Sequence, residues 1–355
     1  MTYPLLAIDP RKIAHNTGLV AGLLQKQSMR LVGVAKGTSA NLDVVGAMIR
    51  GGAAAIGDSR LANLARIREW GYRGETILLR APGPSQCAEA VAYADTSLNS
   101  EISTVRRLGE AALQAGRSHN VILMVDLGDL REGVTAERAP EVAYAMEQVR
   151  GICLAGIGTN LACYGGVIPT VKTMELLLEV KEKVERRLGR RLERVSGGTS
   201  ANLKMVLEQQ MPPGITELRI GEGILLGNEA VCREAIPGCY ADAFLLKAEV
   251  IEVQKKPSKP IGEIGQDAFG NVPYFEDRGI RRRALLALGR QDVDPEGLIP
   301  LEPGIEILGA SSDHLICDIE DAALPVEVGS ILEFKLTYSA LLRASSSPYV
   351  TKRAV

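Results

Sequence analysis

The sequence predicts an α/β protein, a TIM (β/α)8 barrel followed by a C-terminal β-rich domain, and three observations carry that prediction. Short apolar stretches recur at roughly 20- to 35-residue intervals, each followed by a polar turn and an amphipathic helical stretch, as parallel strands joined by crossovers require. Eight such stretches are present, the number that closes a barrel, whereas five or six would describe an open doubly wound sheet. After about Asn228 the helical repeat stops and strand-and-turn patterning takes over. The expected division is therefore 1–228 for the barrel and 229–355 for the β-rich domain, with the first strand free to pair with the latter.

Leu5-Leu6-Ala7-Ile8-Asp9 reads as that first short strand, and Pro10 opens a helix in which Ile13, Leu19, Leu23 and Leu24 share a face. His15 and Asn16 lie in this helix and read as surface or capping groups. The eight barrel strands are expected from Leu31 to Lys36, Ala54 to Asp58, Thr76 to Arg80, Thr96 to Asn99, Val121 to Leu127, Leu154 to Asn160, Arg194 to Gly198 and Glu217 to Gly221. Beyond the barrel, strands are expected from Glu249 to Val253, Arg283 to Leu288, Ile305 to Leu308, His314 to Asp318 and Ile331 to Leu336. Two glycine-rich polar loops, 262–271 and 309–314, join them, and such loops often only connect hairpins.

Composition narrows the function classes. With 355 residues, 46% apolar and 24% charged, the chain has the make-up of a soluble globular protein, and no apolar run approaches the ~20 residues that span a membrane. The stretch from Met1 to Pro10 lacks the basic region and apolar core of a secretory signal, which leads to the expectation of a cytoplasmic protein. Six cysteines without C-x-x-C spacing argue against a zinc site and a disulfide framework, and most are expected to be buried free thiols. A formal charge of −2 and three histidines leave no basic excess for nucleic acid and few ligands for a metal, so no metal is expected and a small-molecule partner is favoured.

Each barrel strand ends in or beside a polar residue: Lys36, Asp58, Arg80, Asn99, Asp126, Asn160, Ser196 and Arg219. In a barrel these tips converge on the face where active sites form. Any buried strand turns polar where it meets water, but several tips carry more. Lys36 follows an apolar strand and precedes small polar residues, the setting in which a desolvated lysine loses its proton and becomes a nucleophile or Schiff-base former; taken alone, a solvated lysine is the commoner reading. Val195-Ser196-Gly197-Gly198-Thr199-Ser200-Ala201-Asn202 couples glycines and hydroxyls to a helix start, which offers backbone N–H groups to a phosphate, or serves as an ordinary capped turn. Arg219 on the next tip needs a buried acceptor. The run from Val125 to Gly133, containing Arg131, is a turn of mixed charge whose simpler reading is a solvated salt-bridged loop.

Together, the strand-end Lys36, the Ser-Gly-Gly-Thr-Ser cradle, Arg219 on the last barrel strand and the trailing β domain resemble the alanine racemase family, pyridoxal 5'-phosphate (PLP) enzymes of fold type III. The opening Ala7-Ile8-Asp9 with His15-Asn16 is similar to that family's start. The segments 125–133, 158–169, 289–294 and 309–315 resemble its ornithine racemase branch. The resemblance implies that Lys36 carries the cofactor as a Schiff base, that Ser196, Gly198, Thr199, Gly221 and Glu222 surround the cofactor phosphate, and that Arg219 faces the pyridine nitrogen and Arg131 the 3-hydroxyl side, with Asn160 also among the cofactor contacts. An arginine does not give up its proton, so the ring opposite it is a weaker electron sink, which favours simple Cα proton exchange over transamination.

Racemisation needs a proton removed on one face of Cα and returned on the other, hence two acid/base groups. Lys36 is one. In alanine racemases a tyrosine from the partner subunit's β domain is the second, whereas here the corresponding 262–270 segment has no tyrosine, and Ala40 and Asn41 stand where the family has another tyrosine after its lysine. The candidates are Asp267, then His314, then Cys163 or Tyr164, with Ser312, Asp313 and Tyr164 on the substrate side and the acids Glu263, Asp267 and Asp313 as acceptors for a basic side chain. The implied activity is a homodimeric racemase of ornithine or another basic amino acid; the alternatives are a fold-type III decarboxylase or lyase, or a non-catalytic PLP-binding homeostasis protein.

Overall fold

The computed structural model describes residues 2–355. The chain divides into two compact units, Pro10–Ala241 on the one hand, and the residues up to Asp9 together with Asp242–Val355 on the other. In the second unit a four-residue strand, β1 (Leu5–Ile8), is buried along its whole length.

The first unit is a closed barrel of eight parallel strands: β2 (Arg30–Val34), β3 (Ala55–Asp58), β4 (Glu75–Leu78), β5 (Thr96–Asn99), β6 (His119–Met124), β7 (Ile152–Gly158), β8 (Arg194–Ser196) and β9 (Glu217–Ile220). Closure is made by β9 beside β2, with Arg219 opposite Val32. The wrapping helices are α1 (Pro10–Gln25), α2 (Leu42–Arg50), α3 (Leu61–Glu69), α4 (Cys87–Tyr93), α5 (Ile102–Gln114), α6 (Ala139–Glu147), α7 (Val171–Leu188), α8 (Leu203–Leu207) and α9 (Glu222–Leu226). Val32, Ala55, Ile77, Leu98, Ile122 and Met124 pack in one buried cluster. The two-residue strand period sets Arg30, Glu75, Thr96, Arg194 and Glu217 on that same face, at or near the strand starts. They saturate one another: Glu75 and Glu217 each accept from both Arg30 and Arg194, at 2.7–3.0 Å, and Thr96 Oγ1 donates to Glu75 at 3.0 Å.

The helical pattern fades at Asn228, but the barrel unit runs on to Ala241. Asn16, read from sequence as a surface or capping group, is fully buried. Its Nδ2 donates to the carbonyls of Ile224 (3.0 Å) and Tyr240 (2.8 Å), and its Oδ1 accepts from Tyr240 N (2.7 Å). Glu229, also buried, accepts from the backbone N–H groups of Val231, Cys232 and Glu234. The Asn16 bonds fasten Tyr240 to α1, and those of Glu229 brace the turn before it, so the units part thirteen or so residues later than the periodicity indicates.

The second unit is an antiparallel sheet in the order β12 (Leu298–Pro300), β15 (Ile331–Leu336), β10 (Phe244–Pro257), β11 (Ile280–Leu286), β14 (Leu315–Asp318), β13 (Glu306–Ala310), with α10 (Tyr338–Ser346) following β15. Strand β1 pairs antiparallel with β10 and parallel with β16 (Thr351–Ala354). The sequence reading omits β12, β16 and α10, and finds only the middle of the 14-residue β10. The cysteines also differ from expectation: Cys87 and Cys317 are buried and Cys239 half-buried, whereas Cys153, Cys163 and Cys232 are exposed.

Candidate active site

Apolar Leu31-Val32-Gly33-Val34-Ala35 forms β2 and its continuation, with Ala35 N donating to Gly57 O of β3. The chain then turns over Lys36–Thr38, passes through left-handed Ser39 and Ala40, and enters α2 under the cap of Asn41, whose side chain accepts from Asp43 N and Val44 N. This tight turn fixes Lys36 at the barrel's C-terminal mouth. There it lines a cleft of about 400 Å³ with Leu79, Leu98 and Met124 as apolar lining and Arg80, Asn99, Arg131 and Glu132 among its polar walls.

Arg219 lies on the same inward row of β9 as Glu217, and only 4% of it is exposed. It donates to Ser196 Oγ, to Ser196 O (3.3 Å) and to Thr159 O (2.7 Å). Burial pushes its guanidinium below the ordinary value, opposed by Glu217 and Cys163, yet arginine is basic enough to keep its charge. The following turn is built for close approach. Gly198 has φ +143°, and a Cβ there would stand 2.0 Å from Asn202 Oδ1, the atom that accepts from Thr199 N. Ser200 Oγ accepts from Gly223 N at 3.1 Å, stitching this turn to the one after β9, where Gly221 packs against Val34. Asn160, on the tip of β7, keeps a buried Nδ2 with no partner among the described residues. Glu222 turns its carboxylate toward Arg233 (2.7 Å) and Asn228 (3.2 Å); burial raises its pKa, with Arg233 pulling the other way.

Arg131 is clasped by its neighbour Glu132, a bond that raises the guanidinium's pKa, and Cys163 lies close by. The turn carrying them is tied to the 160–166 loop by buried Asp129, which accepts from Tyr164 N and Gly165 N, each at 3.1 Å. The Tyr164 ring itself is 76% exposed. Lys36, Arg131, Asn160, Ser196, Gly198, Thr199, Arg219, Gly221 and Glu222 all belong to the barrel unit.

Asp58, on the tip of β3, appears in the sequence only as one polar tip among eight. It is fully buried. Its Oδ1 accepts from Arg60 N (2.9 Å) and Asn63 Nδ2 (3.0 Å), while Oδ2 has no hydrogen-bond partner among the described residues. Burial raises its pKa; those bonds and the nearby Lys36 work in the opposite direction.

In the β-rich unit, the three segments singled out from sequence meet around Arg290. Its guanidinium lies 5.1 Å from the Phe269 ring and donates to Ala310 O, and its backbone N donates to Ser311 O at 2.9 Å. Asp267 closes a turn by accepting from Phe269 N and Asn271 N, bonds that hold its carboxyl below the ordinary range, with Asn271 contributing most. Asp313 Oδ1 is 3.0 Å from His314 Nδ1, which lowers the Asp313 pKa and fixes the imidazole. Ser312 serves through its carbonyl, accepting from Gln291 N. Arg80 and Asn99, named from sequence only as polar strand tips, and Glu132, named only within the 125–133 turn, prove to line the cleft.

A family model for the alanine racemase N-terminal domain matches residues 8–229. The chain belongs to the alanine racemase family. Two curated relatives in it are 41% identical: a lysine racemase of Thermotoga maritima, over 99% of this chain and 98% of the relative, and an ornithine racemase of Acetoanaerobium sticklandii, over 99% of both. Among solved structures, an alanine racemase from a D-cycloserine-producing Streptomyces lavendulae superposes with TM-score 0.74 at 18% identity, covering 99% of this chain and 96% of that one. A D-threonine aldolase from Filomicrobium marinum does so equally, with TM-score 0.74 at 16% identity over 97% and 88%. At such identities these two structures speak to the fold alone, which racemases share with an aldolase.

Proposed function

We propose that this chain is a cytoplasmic, PLP-dependent racemase of a basic amino acid, ornithine or lysine, that works as a homodimer. The observation that carries the reading is 41% identity across essentially the whole length of two racemases named for basic amino acids. The residues fit the cofactor. Gly198 leaves room a Cβ would fill, unpartnered Asn160 Nδ2 offers a buried donor, and Lys36 stands at the cleft. When bound, PLP supplies the electron withdrawal that loosens the Cα proton of an amino acid.

The chain's own groups do the rest. Lys36 would hold the cofactor, and its amine, when free, would move a proton at one face of Cα. Arg219, locked by Ser196 and Thr159, would offer a fixed positive charge to the ring. The turn 198–202 and the start of α9 would hold the phosphate, Glu222 through its backbone since its carboxylate is engaged by Arg233. For the opposite face we favour His314 over Asp267. The imidazole is oriented by Asp313, whereas the Asp267 carboxylate is weakened as a base by its turn N–H groups. Exposed Ile261, Val272 and Tyr274 in the β-rich unit support a surface that a second copy covers.

The test is a racemisation assay on ornithine, lysine, norvaline and alanine with added PLP, alongside the mass of the chain by sedimentation. Ornithine or lysine is expected to be turned over well ahead of the neutral amino acids by a dimer; equal activity on alanine would overturn the basic-substrate reading, and a monomer the homodimer one.

A further inference from the structure

A cap on the turn into α3, rather than on the helix itself, accounts for one oxygen of Asp58 and leaves the other unexplained. Oδ1 receives both the N–H of Arg60 and the side-chain amide of Asn63, which is all this turn cap requires. Oδ2 is buried with no donor among the described residues, a costly state for a carboxylate. Strands β2 and β3 run side by side with Val34 opposite Gly57, so Lys36 and Asp58 leave adjacent tips at nearly the same height. Lys36 is the charged side chain that acts on Asp58; the other groups on it are the Asn63 amide and the backbone of Ser59 and Arg60. The cleft beyond is rich in cations, Arg80 and Arg131 besides Lys36, and its acid Glu132 is already taken by Arg131.

We propose that Asp58 is a positioning residue for Lys36: its free Oδ2 receives the Lys36 ammonium whenever that amine is not covalently engaged. This deepens the function proposed above and rests on its reading of Lys36 as a proton-transfer group. When Lys36 Nζ takes the proton from Cα, its lone pair becomes an N–H bond and the electrons of the broken C–H bond stay with the substrate. The new ammonium then donates to Oδ2, which keeps the amine on the barrel-wall side of the cleft and supplies the countercharge that Arg80 and Arg131 do not. Return of the proton reverses the movement.

The deciding variant is Asp58→Asn, which retains an oxygen for the cap and replaces the free oxygen by an NH2 that cannot accept. In protein stripped of cofactor, labelling of Lys36 by trinitrobenzenesulfonate at neutral pH, read by peptide mass, is expected to quicken by roughly tenfold, because no carboxylate retains the ammonium. In the loaded enzyme, exchange of the Cα proton with deuterated solvent is expected to slow about tenfold more from one enantiomer than from the other. Asn63→Ala serves as the control, since it removes a cap bond without touching Oδ2 and is expected to lower Tm while leaving Lys36 labelling unchanged. Unchanged labelling in a folded Asp58→Asn protein, or an equal change in Asn63→Ala, would overturn the proposal and leave Asp58 a cap. Should Asp58→Asn not fold, carbon-13 NMR of the Asp58 carboxyl in Lys36→Ala decides instead. Loss of the cation is expected to move that signal toward its protonated position, and an unmoved signal refutes the pairing. Altered labelling in a protein that racemises nothing would uphold the pair and reject only the proposed reaction.

Discussion

The two ends of the barrel are made from the same kinds of side chain and use them in opposite ways. At the strand starts, Arg30, Glu75, Thr96, Arg194 and Glu217 point inward and satisfy one another, with Glu217 wholly buried between two guanidiniums. At the strand tips, Asp58 keeps an oxygen and Asn160 a nitrogen without partners among the described residues, and Lys36 and Arg80 face an open cleft. Closing a charge network at one end stabilises the fold; leaving groups unsatisfied at the other prepares a place for something that the chain itself does not provide. The lesson is that burial of charge alone does not mark a site. An unmatched atom at a tip adds to it, although His119 Nδ1 at the start of β6 is also buried without a partner among the described residues.

Four changes put that contrast under strain. Lys36→Ala is expected to cut racemisation by at least about a thousandfold while circular dichroism and Tm stay near wild type, since truncation at a strand tip opens no core cavity. Retained activity without added amine would remove the tip end from the chemistry. Glu217→Ala is expected to act the other way round, costing about 1–3 kcal/mol in urea unfolding because it leaves the partly exposed Arg30 and Arg194 guanidiniums with Glu75 as their remaining acid, with a fold that survives the change still binding cofactor. A loss under 1 kcal/mol would mean that the network is idle.

Next in size is Glu132→Gln, which weakens the acid beside Arg131 in the cleft. Because Arg131 engages Glu132, kcat/KM for ornithine and for norvaline is expected to fall in parallel, roughly tenfold each, the equivalent of about 1.4 kcal/mol. A loss confined to ornithine would assign Glu132 to the distal ammonium instead. The smallest effect concerns pH. Burial alone would raise the Glu217 pKa, but Arg194 and Arg30 outweigh it and the folded value lies below the ordinary 4.5. A depressed folded pKa stabilises the protein above the unfolded value and loses that contribution as pH falls through the folded one. Acid unfolding of the wild type should therefore steepen below about pH 4.5, and Glu217→Gln should flatten that limb; identical limbs would show that the network does not govern acid stability.

The barrel was legible because each strand joins a short apolar run to a polar tip, a pattern that survives in one dimension. Leu31 to Lys36 and Glu217 to Gly221 fall within a residue or two of β2 and β9. The β-rich unit was less so. Strands β12 and β16 span 3 and 4 residues, too few for alternation to stand out, and Lys255 and Lys256 disguise the outer half of β10. Candidate site residues with a chemical signature in the chain, Lys36 and the Ser196–Thr199 turn, could be named from sequence. Asn16 and Asp58 could not. Their meaning lies in what faces them, the backbone of Tyr240 in one case and an empty direction in the other, and neither is written in neighbouring letters.

One further consequence follows from β1. Leu5-Leu6-Ala7-Ile8 precedes the barrel along the chain, yet its partners, Phe244–Lys247 on one side and Thr351–Ala354 on the other, both follow it. During synthesis, this apolar tetrapeptide waits unpaired while the barrel residues emerge, and its parallel edge stays open until Thr351–Ala354 arrive. The second unit is thus a lock that turns late, so a product stalled between the barrel and those residues would carry an exposed sticky strand, the form most exposed to chaperones and proteases.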